Sequence, residues 1–202
     1  MFNKKIVVTI GAYPDVGKGI FTSSLGYCFQ ELGYKVFPVK FDGYMNTSSG
    51  TMNPYHGSMQ SKYSEEEVFV LCDGYEADAD SGYYERFLDA EFPNTSNITN
   101  GRLFSYILGL EAEKKLRQGE VINYRYVRNH LIKNLIELAS KTDILMLEIG
   151  GTIGDKETEI IFDAVNLIKN RKQADVQTIM LSPYFEKQSE EGLELSFRSR
   201  IT

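Results

Sequence analysis

A lysine set among glycines is the first place in this chain where residue types imply chemistry. Gly11-Ala-Tyr-Pro-Asp-Val-Gly-Lys-Gly19 follows the β-branched run Lys5–Ile10 and precedes Ile20–Leu32, where Phe21, Leu25, Cys28 and Leu32 recur at helical spacing. A loop between a strand and a helix aims its backbone N–H groups and the positive end of the helix dipole at one point. Lys18 adds a full charge there. Glycines at 11, 17 and 19 let the backbone turn tightly and approach an anion. The chemistry this suggests is phosphate binding, and the alternative is a tight strand–helix turn with no ligand. The loop departs from the usual Walker pattern by an extra residue before Gly17-Lys18 and by Gly19, where a Ser or Thr would hold Mg²⁺. Thr22 and Ser23 come a turn late, so carboxylates elsewhere must carry more of any metal's coordination.

Further charged residues stand where strands are expected to end. Tyr34–Phe41 reads as a strand that delivers Lys40 and Asp42 at its C-terminal end, the end at which ligands sit in open parallel sheets. Lys40 is a second candidate for neutralising phosphate, or else a solvated edge lysine. Val68–Leu71 reads as a short buried strand. Asp73, between it and Gly74, is a metal-ligand candidate, while Glu76, Asp78 and Asp80 read as loop charges. Asp143–Ile149 is apolar on both faces and belongs at the centre of a parallel sheet. Glu148 near its end is costly to bury unless it is paired or binds metal. Strand, acid and then Gly150-Gly151 is the order that completes Mg²⁺ binding in P-loop proteins. The alternative partner is a lysine such as Lys18. His56 reads as a polar loop contact and His130 as a packing residue.

These residues need a scaffold, and the rest of the chain supplies one. At 202 residues the chain is expected to form a single domain over 1–202, with a long loop at 43–67, loosest over Ser58–Glu67. Helical patterns cover Tyr83–Leu88, Arg102–Gln118 (capped by Thr99 or Asn100), Val127–Leu138 and Glu157–Lys169. Val176–Leu181 reads as a further buried strand, and the polar tail 184–202 shows no strand pattern. The expected fold is α/β and P-loop-type, a mostly parallel sheet with helices on both faces. A net charge of −6 argues against nucleic-acid binding. No apolar run reaches the ~18 residues of a membrane span, and the two cysteines fit a reducing cytoplasm.

The motifs also occur in a telling order. Val16-Gly-Lys-Gly-Ile20, Lys40-Phe-Asp-Gly-Tyr-Met-Asn46, Gly50-Thr-Met-Asn-Pro54, Val68-Phe-Val-Leu-Cys-Asp-Gly74, Gly82-Tyr-Tyr-Glu-Arg-Phe87, Asn97-Ile-Thr-Asn-Gly-Arg102 and Glu148-Ile-Gly-Gly-Thr-Ile-Gly-Asp155 resemble the N-terminal synthetase (amidoligase) domain of CTP synthases. The resemblance implies phosphorylation of the uracil 4-oxygen of UTP by ATP, followed by displacement of phosphate by ammonia. It implies that Asp15, Val16, Gly17, Lys18, Gly19 and Ile20, with Asp73, hold ATP. By the same resemblance Lys18 and Lys40 neutralise the transferring phosphoryl group, and Asp73 and Glu148 hold Mg²⁺. Pro14, Asp155, Lys156 and Glu157 fall where such a family binds the pyrimidine nucleotide. A homo-oligomer is also implied.

The chain departs from that family's pattern in three places. No glutaminase domain is expected with it, so ammonia would be free or come from a separate partner. Gly192-Leu-Glu-Leu-Ser-Phe197 stands where the family has Lys-Thr-Lys-Pro-Thr-Gln. Gly119-Glu-Val-Ile-Asn123 only loosely echoes Gly-Asp-Tyr-Leu-Gly. Two readings follow: an ATP-using ligase, or a nucleotide-binding homologue that regulates or assembles without turnover.

Overall fold

The computed structural model describes residues 4–52, 68–116, 119, 121–183, 188–189 and 192–193. Its centre is a parallel sheet of five strands: β1 (Lys5–Gly11), β2 (Val36–Asp42), β5 (Asn97–Thr99), β6 (Ile144–Ile149) and β7 (Asp175–Leu181), in the order β5-β2-β6-β1-β7. The apolar run around Leu145–Leu147 takes the middle position and is buried throughout, as its two apolar faces require.

Strand side chains alternate between faces, so each strand feeds two cores. Ile6 and Val8 of β1, Val39 and Phe41 of β2, and Leu145 and Leu147 of β6 pack against α3 (Asn100–Ala112), α4 (Tyr124–Ala139) and α5 (Glu159–Asn170). Val7, Val36, Ile144 and Met146 pack on the other face against Tyr84 and Leu88 of α2 (Asp80–Leu88), with Leu25 and Phe29 of α1 (Lys18–Glu31). The expectation of helices on both faces is met. On the α1–α2 face the apolar rows stop short of the strand ends. Thr9, Glu148, Lys40 and Asn97 there stand side by side in register across β1, β6, β2 and β5, and all are buried. This polar row is what the fold delivers to the site.

The structure corrects several sequence expectations. The buried stripe of α1 is Lys18, Gly19, Thr22, Ser23 and Gly26, while Cys28 is exposed and Leu32, just past the helix, is 72% exposed. Small residues face inward because α1 lies close to α2; a Cβ on Gly26 would stand 3.1 Å from Leu88 Cδ2. Val68–Leu71 supplies a strand, but not to the central sheet. β3 (Val68–Val70) forms a separate antiparallel hairpin with β4 (Glu76–Asp78), turned at Gly74 in the left-handed region, and Val70 is 60% exposed. β7 is an edge strand in which only Val176 is buried.

The tail also differs, since β8 (Gln188–Ser189) and β9 (Gly192–Leu193) pair antiparallel over lengths too short to leave a periodic signal. Helix α3 starts at Asn100 with Thr99 accepting from the Arg102 N–H at 3.0 Å, and it ends at Ala112 rather than running to Gln118. His130 stacks on Tyr106 with ring centroids 4.8 Å apart, the packing role expected of it. His56 and the loop 58–67 lie outside the described residues.

Candidate functional site

The glycine loop folds as its sequence requires. Asp15 and Gly17 adopt left-handed backbone at φ 52° and 82°, and α1 begins at Lys18. The first-turn N–H groups of α1 have no intrahelical acceptors and face whatever enters the loop. Lys18 is only 9% exposed and makes no ion pair among the described residues. Two backbone bonds hold neighbouring segments around the loop: Ile153 N–H to Gly11 O at 3.2 Å and Gly150 N–H to Phe41 O at 2.7 Å. The result is a cleft of about 350 Å³ at the carboxyl ends of β1, β2 and β6. Pro14, Asp15, Gly17 to Ile20, Lys40 and Glu148 line it, joined by Asp42, Asp78, Asp80, Tyr83, Gly150 and Gly151.

Opposite the loop, carboxylates surround one ammonium. Lys40 Nζ donates to Glu148 Oε1 at 2.8 Å and to Asp80 Oδ2, and stands 3.7 Å from Asp78 Oδ1. The buried Tyr84 hydroxyl donates to the other Glu148 oxygen at 2.5 Å. The Asp80 N–H donates to Asp78 Oδ1 at 2.9 Å. Asp80 opens α2, where a carboxylate suits the helix dipole. Glu148 thus pairs with a lysine, and the lysine is Lys40 rather than Lys18.

Charge crowding tunes these groups. Burial would depress the Lys40 pKa, yet Glu148, Asp78 and Asp42 outweigh it and hold the ammonium well above its ordinary range. Burial raises Glu148, with Lys40 opposing. Burial raises Asp78 also. Burial likewise pushes on Asp80, but Lys40 wins and lowers it. Asp42 is pushed up to about 7, by burial first and then against the pull of Lys40 by Asp78 and Glu148.

A carboxyl raised in the folded state contributes stability that is full below its unfolded pKa and is lost as pH rises through the folded value. Asp42→Asn, which mimics the protonated form, is therefore expected to be more stable than the native chain near pH 8, by on the order of 4 kcal/mol. Urea unfolding should show that gain shrinking to nothing below about pH 4, the unfolded value.

Gly19 explains its own departure from the Walker pattern. A Cβ there would lie 2.1 Å from Asp80 Oδ1, so the Asp80 carboxylate fills the volume that a Ser or Thr side chain would use. Hard carboxylate oxygens suit Mg²⁺, which is held by one or two carboxylates together with substrate phosphates. Among the described residues no group of three or more His, Cys, Asp or Glu forms a cage by itself. Asp80 and Glu148 meet that smaller requirement.

The sequence-derived candidates separate accordingly. Pro14, Asp15, Gly17, Lys18, Gly19, Ile20, Lys40 and Glu148 are brought together. Val16 turns its Cγ1 toward Gly11 instead of lining the cleft. Asp73 is not brought there. It sits on the β3–β4 turn, exposed, accepting from the N–H groups of Asn94 at 2.8 Å and Tyr75 at 3.3 Å, bonds that lower its pKa. Its place is taken by Asp80, with Asp78 behind.

Asp155, Lys156 and Glu157 lie on the segment after the cleft's glycines. There the Asp155 carboxylate accepts from Thr152 N at 2.6 Å, and Lys156 and Glu157 are exposed. Asn100 ties this segment to the β2 loop by donating to Gly43 O at 2.6 Å and Glu157 O at 2.8 Å. Sequence reading missed Asp42, Asp78, Asp80 and Tyr84 as site residues. Asp42 had a signal in its place at the end of a strand, and Asp80 had one in Gly19, whose missing side chain asks what fills the space.

Residues 4–194 match the family model described as CTP synthase N-terminus. The CTP synthase of Methanosphaera stadtmanae is 37% identical over 182 residues, covering 86% of this chain and 31% of that protein. The CTP synthase of Saccharolobus solfataricus is 41% identical over 179 residues, covering 87% and 32%. The chain thus spans about a third of the length of these curated relatives. A cobyrinic acid a,c-diamide synthase structure from Mycobacterium smegmatis aligns with 92% of this chain and 75% of that one, at 12% identity and a TM-score of 0.33, too loose a likeness to bear on the chemistry. The chain belongs to the CTP synthase N-terminus family.

Proposed function

We propose that this chain is an ATP- and Mg²⁺-dependent amidoligase that makes CTP from UTP and ammonia. The observation that carries this reading is a buried lysine with no ion pair among the described residues, Lys18, in a glycine loop that shares one cleft with Lys40, Asp80 and Glu148. The loop N–H groups and Lys18 hold the ATP phosphates. Lys40 neutralises charge on the transferring phosphoryl group. Asp80 and Glu148 would hold Mg²⁺, which when bound supplies further neutralisation of the phosphate oxygens. Pro14 and the segment Asp155–Glu157 orient the pyrimidine nucleotide. The uracil 4-oxygen attacks the γ-phosphorus, N3 gives up its proton to solvent and ADP leaves. Ammonia then adds at C4, loses a proton, and phosphate departs with the former 4-oxygen. The protein contributes position and charge, with no covalent protein intermediate.

Ammonia is the nitrogen donor, and the active form is a homo-oligomer in a reducing cytoplasm, where free Cys28 and Cys72 persist. Among the described residues no helix is long and apolar enough to cross a membrane.

The test follows ADP and CTP in the presence of Mg²⁺ and ammonium, with UTP, other pyrimidine nucleotides or no acceptor. UTP-dependent ADP release matched by CTP is expected, with a loss of at least ~100-fold in Lys18→Ala. ADP release driven by a different acceptor would reassign the substrate. ATP bound without turnover in every arm would replace the enzyme with a nucleotide-binding homologue.

A further inference from the structure

We propose that Lys40 is a resident counter-cation, which keeps a divalent cation off Asp80 and Glu148 until an anion in the loop draws the ammonium away. The metal then enters with the nucleotide rather than ahead of it. This rests on the reading above only for the identity of that anion.

The oxygens facing the cleft are already used. Lys40 Nζ occupies Glu148 Oε1 and Asp80 Oδ2 together, with Asp78 behind at 3.7 Å. The remaining oxygens are no more available. Glu148 Oε2 accepts the Tyr84 hydroxyl at 2.5 Å, and Asp80 Oδ1 lies against the α-carbon side of Gly19, where even a Cβ would be 2.1 Å away. A Mg²⁺ bound at about 2.1 Å to Glu148 Oε1, which lies 2.8 Å from the ammonium, would stand no more than about 5 Å from that charge. Two such charges repel too strongly to share a buried site.

The backbone offers no escape, since Lys40 is registered against Glu148 between β6 and β5. The side chain must swing instead. Lys18 lines the same cleft, is nine-tenths buried and has no ion pair among the described residues, so the cleft already holds a cation awaiting an anion. A phosphate seated at Lys18 gives Lys40 a second partner and vacates the carboxylates. Asp42 and Asp78 remain beside them to favour the incoming cation.

Mn²⁺ binding to the nucleotide-free chain, read by the loss of the free-ion signal in electron paramagnetic resonance, tests this directly. The native chain is expected to bind weakly. Lys40→Gln, which keeps a donor for Glu148, should bind at least ten-fold more tightly, and adding Asp80→Asn should return it to the native level. Equal Mn²⁺ affinity in the native chain and Lys40→Gln would overturn the proposal. Should that variant fail to fold, the native chain still decides. Tight Mn²⁺ binding without nucleotide overturns the proposal, and retention only with a non-hydrolysable ATP analogue supports it. The decisive variant arms contain no nucleotide, so a failure of the CTP-forming reading shows separately, as absent ADP release.

Discussion

Lys40→Met is expected to lower the free energy of unfolding by about 3–5 kcal/mol near pH 8, the cost of leaving buried charges without their partner. The methionine fills the lysine's volume, so cavity formation contributes little. What is lost is the only ammonium among the described residues that touches Glu148 and Asp80, with Glu148 fully buried on the central strand. The deficit should depend on pH with a definite sign. Without Lys40 the folded-state pKa of Glu148 rises further above its unfolded value, and that of Asp80 loses the pull that holds it down. The folded variant then binds more protons than the unfolded chain, and its stability increases as pH falls. Urea unfolding near pH 8 and near pH 5 should show the deficit narrowing, with the slope against urea unchanged. A deficit below about 1 kcal/mol near pH 8 would mean that these carboxylates do not depend on Lys40.

Gly19→Ser should reduce ATP-dependent turnover by at least ~100-fold, even though it installs the residue usual in phosphate-binding loops. Its Cβ would meet Asp80 Oδ1 at 2.1 Å and Asp80 Cγ at 2.6 Å. Asp80 is held by Lys40 and by the first turn of α2, so α1 and α2 must part to make room. Overpacking of this kind typically costs 1–3 kcal/mol, in addition to displacing a cleft carboxylate. Adding Asp80→Gly should restore the melting temperature by giving space, and leave turnover lost. Native turnover in Gly19→Ser would show that the loop takes the ordinary Walker geometry and that Asp80 is dispensable.

How much of this was legible in the sequence differs by element. The loop at Gly11–Gly19 and the central strand around Glu148 were readable because strand, glycines, lysine and helix are contiguous, and because an acid in an apolar run stands out. Lys40 was readable from its place at a strand's end. Asp80 was not, because its role depends on α2 packing against α1, a contact between distant segments that leaves only the absence of a side chain at Gly19. Asp73 looked better than Asp80 because it follows an apolar run. That run forms a hairpin strand outside the main sheet, so its end points away from the cleft. In α1, Phe21, Leu25, Cys28 and Leu32 followed helical spacing, but the close approach of α2 selected the face with small side chains.

The proposed reaction moves the γ-phosphoryl group of ATP onto the 4-oxygen of a uracil nucleotide in this cleft. It is tested most directly by incubating the chain with UTP labelled with ¹⁸O at that oxygen, together with ATP, Mg²⁺ and ammonium, and examining the released phosphate by ³¹P spectroscopy. One ¹⁸O is expected in each phosphate released, with an equal amount of CTP. Unlabelled phosphate accompanying CTP would contradict it, because the 4-oxygen would then have left by another route.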